Sequence, residues 1–160
     1  MKQEKTIRLL SNPFLFRLFL FWSLPAAFFS GLRLREVTTE KAVASIRFSW
    51  FSQNPFRSIY FACLAMAAEL STGVLALVHS RHIKPTISML VLEMHSSFHK
   101  KATGQINFVC EDGKKIEEAI REALVSGQSI TYMTHSKGYN SEGICVAEFD
   151  ITWTFKQRSK

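Results

Sequence analysis

Residues 54–69 read Asn54-Pro55-Phe56-Arg57-Ser58-Ile59-Tyr60-Phe61-Ala62-Cys63-Leu64-Ala65-Met66-Ala67-Ala68-Glu69, a polar amide in a proline-marked turn followed by a small-residue apolar run with a single carboxylate. The run continues to about His79 without strand periodicity, and Ala62, Ala65, Ala67, Ala68, Gly73 and Ala76 let other backbone approach it closely. This pattern predicts a central helix over residues 58–80, capped by Ser58 and ended by Lys84-Pro85. His79, Arg81 and His82 suit the negative end of its dipole. A helix apolar on nearly every side is stable only when something wraps it. An ionisable Glu69 in its middle is then either paired or chemically active, because an unpaired buried charge is costly.

The flanking sequence supplies the wrapping. After Gly31, Leu32, Leu34 and Val37 alternate, and Thr38-Thr39-Glu40-Lys41 forms a turn. Ala44, Ile46, Phe48 and Trp50 then point one way and Ser45, Arg47 and Ser49 the other, as in a strand with one buried face, so the two segments read as a hairpin. Residues 87–94 are apolar on both faces, as in an interior strand, and 105–110 returns after a turn at Ala102-Thr103-Gly104. Residues 113–126 carry Ile116, Ala119, Ile120 and Leu124 on one stripe of a surface helix that Ser126-Gly127 closes. The last strands, 129–134 and 144–155, flank a turn-rich stretch at 136–143, and Phe149, Ile151, Trp153 and Phe155 alternate with Asp150, Thr152 and Thr154. The expectation is one α+β domain over residues 1–160, an antiparallel sheet of about six strands curled around the central helix.

The N-terminal segment, 1–28, has its own logic. Asn12-Pro13 reads as an N-cap and first helical position, and Arg17 and Pro25 interrupt the apolar run 14–29 well short of the ~20 residues a spanning helix needs. The reading is a docked amphipathic helix covering a sheet edge or a partner, with no stable membrane anchor. Cys63, Cys110 and Cys145 are scattered and odd in number, which points to a reducing, cytoplasmic compartment and away from a disulfide framework or a metal-ligand spacing. The net charge of +7 suits nucleic acid, an anionic membrane surface or a phosphorylated small molecule, but it is spread along the chain rather than clustered, so charge alone does not choose among them; the expectation is no nucleic-acid partner, and Lys100-Lys101 is the compact interior pair. His79 with His82, and His95 with His99, lack an identifiable third metal ligand.

The order of elements and the 54–69 stretch resemble the hot-dog fold of the acyl-CoA thioesterase superfamily, over nearly the whole chain. Within it the chain looks like the PaaI-like, thioesterase-like branch, which carries an N-terminal Asn-Pro helix and a helix inserted before the last two strands. That branch has the loop Asn-x-x-Gly-Ser-Ile-His-x-Gly-Ala and an Ala-Glu at the end of its helical motif. Asn54, Ser58-Ile59 and Ala68-Glu69 match it, whereas Arg57 and Ala62 replace glycines and Tyr60 replaces the histidine. The resemblance implies Glu69 and Asn54 as catalytic residues, backbone donors at Phe61 and Ala62 for the thioester oxygen, and Ser58, Tyr60, Arg57, Lys100 and Lys101 as substrate contacts. It implies no metal and no cofactor other than the coenzyme A of the substrate. Tyr60 reads more simply as a core aromatic, and Asn54 as an ordinary turn former.

Thioester hydrolysis needs a carboxylate as base or nucleophile and N–H donors where negative charge develops. Phe61 and Glu69 are eight residues apart, about 12 Å along a helix at 1.5 Å per residue, so one chain cannot bring both to one carbonyl. The family answers with paired subunits, which implies a homodimer or a tetramer of dimers. Two functions follow, a dimeric acyl-CoA thioesterase using Glu69, or a non-catalytic acyl or acyl-CoA binding protein. The absence of a histidine between Asn54 and Glu69 weakens a hydro-lyase reading.

Overall fold

The computed structural model describes residues 2–158; Met1, Ser159 and Lys160, the ends of the predicted 1–160 domain, lie outside the described residues. In place of one helical segment over 1–28, the chain begins with three short helices, α1 (Lys2–Ser11), α2 (Pro13–Ser23) and α3 (Pro25–Phe29). Asn12 caps α2 as its sequence predicts, its Oδ1 accepting from the N–H groups of Phe14 and Leu15 at 3.1 Å. Pro25 ends that helix and opens the next, since it has no N–H to give to α2 but needs none in a first turn. α1 and α2 pack on β1 (Arg33–Val37), one edge of the sheet.

β1 and β2 (Ala42–Arg47) form the expected antiparallel hairpin. The strand stops earlier than its alternation suggested. Ala42, Ala44 and Ile46 are buried, but Phe48 lies beyond the last strand residue and Trp50 stands 77% exposed in a turn. The reason is Ser52, whose hydroxyl donates to the Arg47 carbonyl and accepts from the Ser49 N–H, folding the backbone out of the ladder.

The central helix, α4, runs Phe61–Ser80, three residues shorter at its start than the predicted 58–80. Ser58 does not cap it, because its N–H and hydroxyl both donate to Asn54 Oδ1, and Tyr60 takes the N-cap position without a side-chain bond. α4 packs across β1, β2, β5 (Ile130–Tyr139), β4 (Gln105–Cys110) and β6 (Cys145–Gln157), with Ala67, Ala68, Leu75 and Ala76 fully buried. It is long and apolar enough to cross a membrane by length and composition, yet here it is the buried centre of the fold. Two of its hydroxyl side chains are satisfied internally: Ser71 bonds Ser136 at 2.8 Å, and Trp153 Nε1–H donates to Thr72 Oγ1 at 2.9 Å. His79 is buried rather than sitting at a solvated helix end, with Nε2–H donating to the Thr39 carbonyl at 2.8 Å.

The six strands form one antiparallel sheet in the order β1-β2-β4-β5-β6-β3. β3 (Ile87–Phe98) is longer than the predicted 87–94 and is an edge strand, pairing with β6 alone, so its apolar residues on both faces do not mark an interior position. Leu90, Leu92 and Phe98 remain exposed. β5 continues through the stretch read as a turn at 136–143, and the reversal is confined to 140–144, where Asn140 Oδ1 accepts from the N–H groups of Glu142 and Ile144. α5 (Gly113–Ser126) matches its predicted bounds and ends at Gly127 in the left-handed conformation, φ 66°. Phe149, Ile151, Trp153 and Phe155 alternate into the core as their spacing predicts.

Candidate active site

The loop before α4 is built around Asn54. Its Oδ1 accepts from the Phe56 N–H (3.0 Å), the Ser58 N–H (3.2 Å) and the Ser58 hydroxyl (3.1 Å), so the amide holds its own turn together. The Ile59 N–H donates to the Ala102 carbonyl and the Tyr60 N–H to the Ser52 carbonyl, which pins the turn to neighbouring chain. Arg57 has φ 56°, the left-handed region that glycine, the residue of the resembled branch at this position, enters without steric cost. Cys63 and Leu64 donate back to the Tyr60 carbonyl, while the first two N–H groups of α4, at Phe61 and Ala62, have no backbone acceptor. Free amides at a helix N-terminus, with the dipole behind them, favour negative charge.

This loop opens onto a cavity of about 520 Å³. Asn54, Ser58, Tyr60 and Phe61 line it, and so do Lys100 and Lys101, which arrive from the segment after β3. The fold therefore gathers most of the sequence-predicted contacts into one place. Neither lysine has a carboxylate within ion-pair distance among the described residues. Arg57 and Ala62 do not line the cavity. Tyr60 is half exposed and stacks edge-on against Phe61 at 4.8 Å, so it is not a core aromatic. Phe98 and His99 also line the wall; His99 Nε2 lies 3.0 Å from Glu148 Oε2.

Glu69 is not in this cavity. Two turns along α4 it borders a separate apolar pocket of about 230 Å³ formed with residues 23–27 and with Leu32, Met66 and Leu70. Among the described residues no hydrogen-bond or ion-pair partner reaches its carboxylate, and burial pushes its pKa upward. Gly73, one turn on, leaves it room: a Cβ there would stand 3.2 Å from Glu69 Oε1 and 3.4 Å from the Trp153 ring. The lining from α2, α3 and Leu32 had no local signal, since the sequence around Pro25 says where a helix breaks and not which helix it meets. His99 had one, its place beside Lys100. His99, Cys145 and Glu148 also bring ligand-type atoms within 4.8 Å of one another, although Glu148 is already shared with Lys137 at 2.8 Å.

A six-stranded antiparallel sheet closed on one long helix, with a polar loop at the helix start, defines a hot-dog protein, the class the resemblance implied. The chain belongs to the family described as a domain of unknown function, DUF4442, whose pattern matches residues 15–155. No curated protein matches it. Among solved structures it is similar to PA5026 from Pseudomonas aeruginosa, a protein of unknown function described as a probable thioesterase, with a TM-score of 0.77 and 21% identity over 99% of this chain and 97% of that one. It is also similar to thioesterase HI1161 from Haemophilus influenzae, with a TM-score of 0.62 and 10% identity over 88% of each chain. A mutant of thioesterase PA1618 from Pseudomonas aeruginosa gives a TM-score of 0.63 and 14% identity over 81% of this chain and 84% of that one. At these identities the likeness is one of fold.

Proposed function

We propose that the protein is an acyl-CoA thioesterase that works as a homodimer, the loop cavity of one protomer facing the partner's Glu69. The observation that carries this reading is the carboxylate itself, unpaired, raised in pKa and opening into an apolar pocket where an acyl chain fits. Glu69 takes a proton from the attacking water, or attacks the thioester carbonyl directly. The N–H groups of Phe61 and Ala62 stabilise the oxyanion, and Lys100 and Lys101 hold the phosphates of coenzyme A. Water adds to the carbonyl, the carbon–sulfur bond breaks, and the products are a carboxylic acid and a free thiol. Asn54 and Ser58 keep the loop in shape, a positioning role that their mutual hydrogen bonds support. The site needs no metal, and we assign the protein to the cytoplasm.

The two pockets lie at separate places on one chain, which favours a second copy. The exposed edge of β3 supports a route to it, because its outward backbone groups and Leu90 and Leu92 are free to pair. A tetramer of two such dimers fits the same reading.

A second reading, a non-catalytic acyl-CoA binding protein, draws on the loop, where Tyr60 stands in place of the branch's histidine and Asn54 spends its carbonyl oxygen on its own turn. An acyl-CoA panel with release of free thiol as readout separates the two. Wild type is expected to turn over at least one chain length, and Glu69→Ala to lose about 100-fold or more in kcat while keeping its solution mass. Unchanged turnover in Glu69→Ala would remove the assignment. Saturable binding by wild type with no thiol released would favour the binding protein.

A further inference from the structure

α2 turns most of its large side chains to solvent. Only Phe16 and Leu20 are buried, while Phe14 and Trp22 are 76% and 77% exposed. The rings are continuous across three parts of the chain, with the half-buried Phe28 as the link between exposed ones. Trp22 meets Phe21 at 5.7 Å, Phe21 meets Phe28 at 5.2 Å, Phe28 meets Phe29 at 5.3 Å, Phe29 meets Phe51 at 5.9 Å and Phe51 meets Trp50 at 4.9 Å. Contiguous apolar surface of this kind marks an interaction site.

The segments that carry the strip are basic. Residues 5–35 contain Lys5, Arg8, Arg17, Arg33 and Arg35 and no acid, and residues 41–68 contain none either; Glu69 borders residues 23–27 from within its apolar pocket. Arg17 lies 3.9 Å over the Phe28 ring, and neither it nor Arg33 has a carboxylate within ion-pair distance among the described residues. Burial and the nearby charge of Arg33 both lower the Arg17 pKa, so the two guanidinium groups act on each other.

The charge decides between occupants. A second copy seated on this strip by a two-fold axis would bring the same cations and no acid from the strip's own segments, and would strip water from guanidinium groups that have no carboxylate partner. An anionic lipid surface supplies phosphates for the arginines and a headgroup–acyl boundary that receives tryptophan and phenylalanine rings. We propose that α2, α3 and the turn at Trp50-Phe51 form a docking surface for an anionic lipid bilayer, with the ring strip at the acyl boundary and Arg17 and Arg33 on lipid phosphates. Residues 23–27 of the same segment line the Glu69 pocket, so docking would open that pocket toward lipid. This last consequence rests on the thioesterase reading, whereas the docking itself does not.

The test is sedimentation of the full chain with phosphatidylcholine vesicles, with and without phosphatidylglycerol, at low and high salt. Wild type is expected to sediment with the phosphatidylglycerol vesicles at low salt and to be released by high salt. Bilayer-brominated lipid is expected to quench Trp22 and Trp50 and spare the buried Trp153. Trp22→Ser with Trp50→Ser should weaken binding about tenfold or more, since both rings sit at the interface. Arg17→Gln and Arg33→Gln should each weaken it about fivefold, independently of whether the tryptophan variant folds. Glu69→Ala should bind vesicles as wild type does, which separates failure here from failure of the thioesterase assignment. The proposal is overturned if wild type stays in the supernatant with phosphatidylglycerol vesicles at low salt. It is equally overturned if the tryptophan and arginine variants all bind as wild type, or if the tryptophan variant lowers the solution mass without changing vesicle binding, which would give the strip to a second copy.

Discussion

A carboxyl group whose pKa is raised by burial weakens the fold once the pH passes its unfolded value. For Glu69 that ordinary value is 4.5 and the folded one is higher. Across the interval between them the folded chain binds more protons than the unfolded chain, so stability falls as pH rises through it. Glu69→Gln is therefore expected to raise the unfolding temperature at neutral and alkaline pH, with the gain closing as pH falls below the unfolded value; scanning calorimetry over pH checks it. A destabilised Glu69→Gln at neutral pH would mean that the carboxylate has a partner. On the proposed thioesterase reading, with Glu69 as base, the same shift is expected to move the acid limb of kcat/KM above the usual carboxylate range, since the base must be ionised; a pH profile of thiol release checks it. Arg57 gives a second residue-scale expectation. Its φ of 56° costs an L side chain about 1 kcal/mol, so Arg57→Gly should stabilise by up to about that much and Arg57→Ala should not, as chemical denaturation would show.

Elements are held in place where backbones touch. α5 begins at Gly113, whose N–H donates to the Glu40 carbonyl at 3.0 Å, and a Cβ there would fall 2.5 Å from Glu40 Cα. Backbone cannot step aside as a side-chain tip can. Gly113→Ala is expected to lose about 1–3 kcal/mol of stability by displacing α5 from the β1–β2 turn, measured by denaturant unfolding. Gly138 in β5 is a milder instance, because its added Cβ would meet the Phe108 ring at 2.7 Å and that ring belongs to a side chain. Both glycines lie outside the loop and the Glu69 pocket, so these variants separate stability from site chemistry.

For the assembled protein, the proposed thioesterase reading requires two places to be brought together. The loop cavity and Glu69 are about 12 Å apart along α4 at its helical rise, and the open edge of β3 offers the means. Leu90→Lys with Leu92→Lys places charge on an edge that is already exposed, so the chain should still fold. The expected result is a monomer by light scattering, with thiol release lost together with the dimer. A variant that stays dimeric and active would put the subunit contact elsewhere.

Features that depend on neighbours along the chain were legible in the residues alone. Asn12 before Pro13 set a helix start, Gly127 set a helix stop, the alternation from Phe149 to Phe155 set a buried strand face, and the small-residue run to Glu69 set the central helix. Period-two patterning identifies a strand but not its place in the sheet, so β3 read as interior although it is an edge, and Trp50 read as buried although Ser52 ends the strand before it. Tertiary structure alone decided that Lys100 and Lys101 meet Asn54 and Tyr60 at one cavity, and that α3 closes over Glu69. Those meetings are between segments far apart in sequence. Their free energy comes from burying surface that each segment presents to the other, and no local pattern encodes which surface that will be.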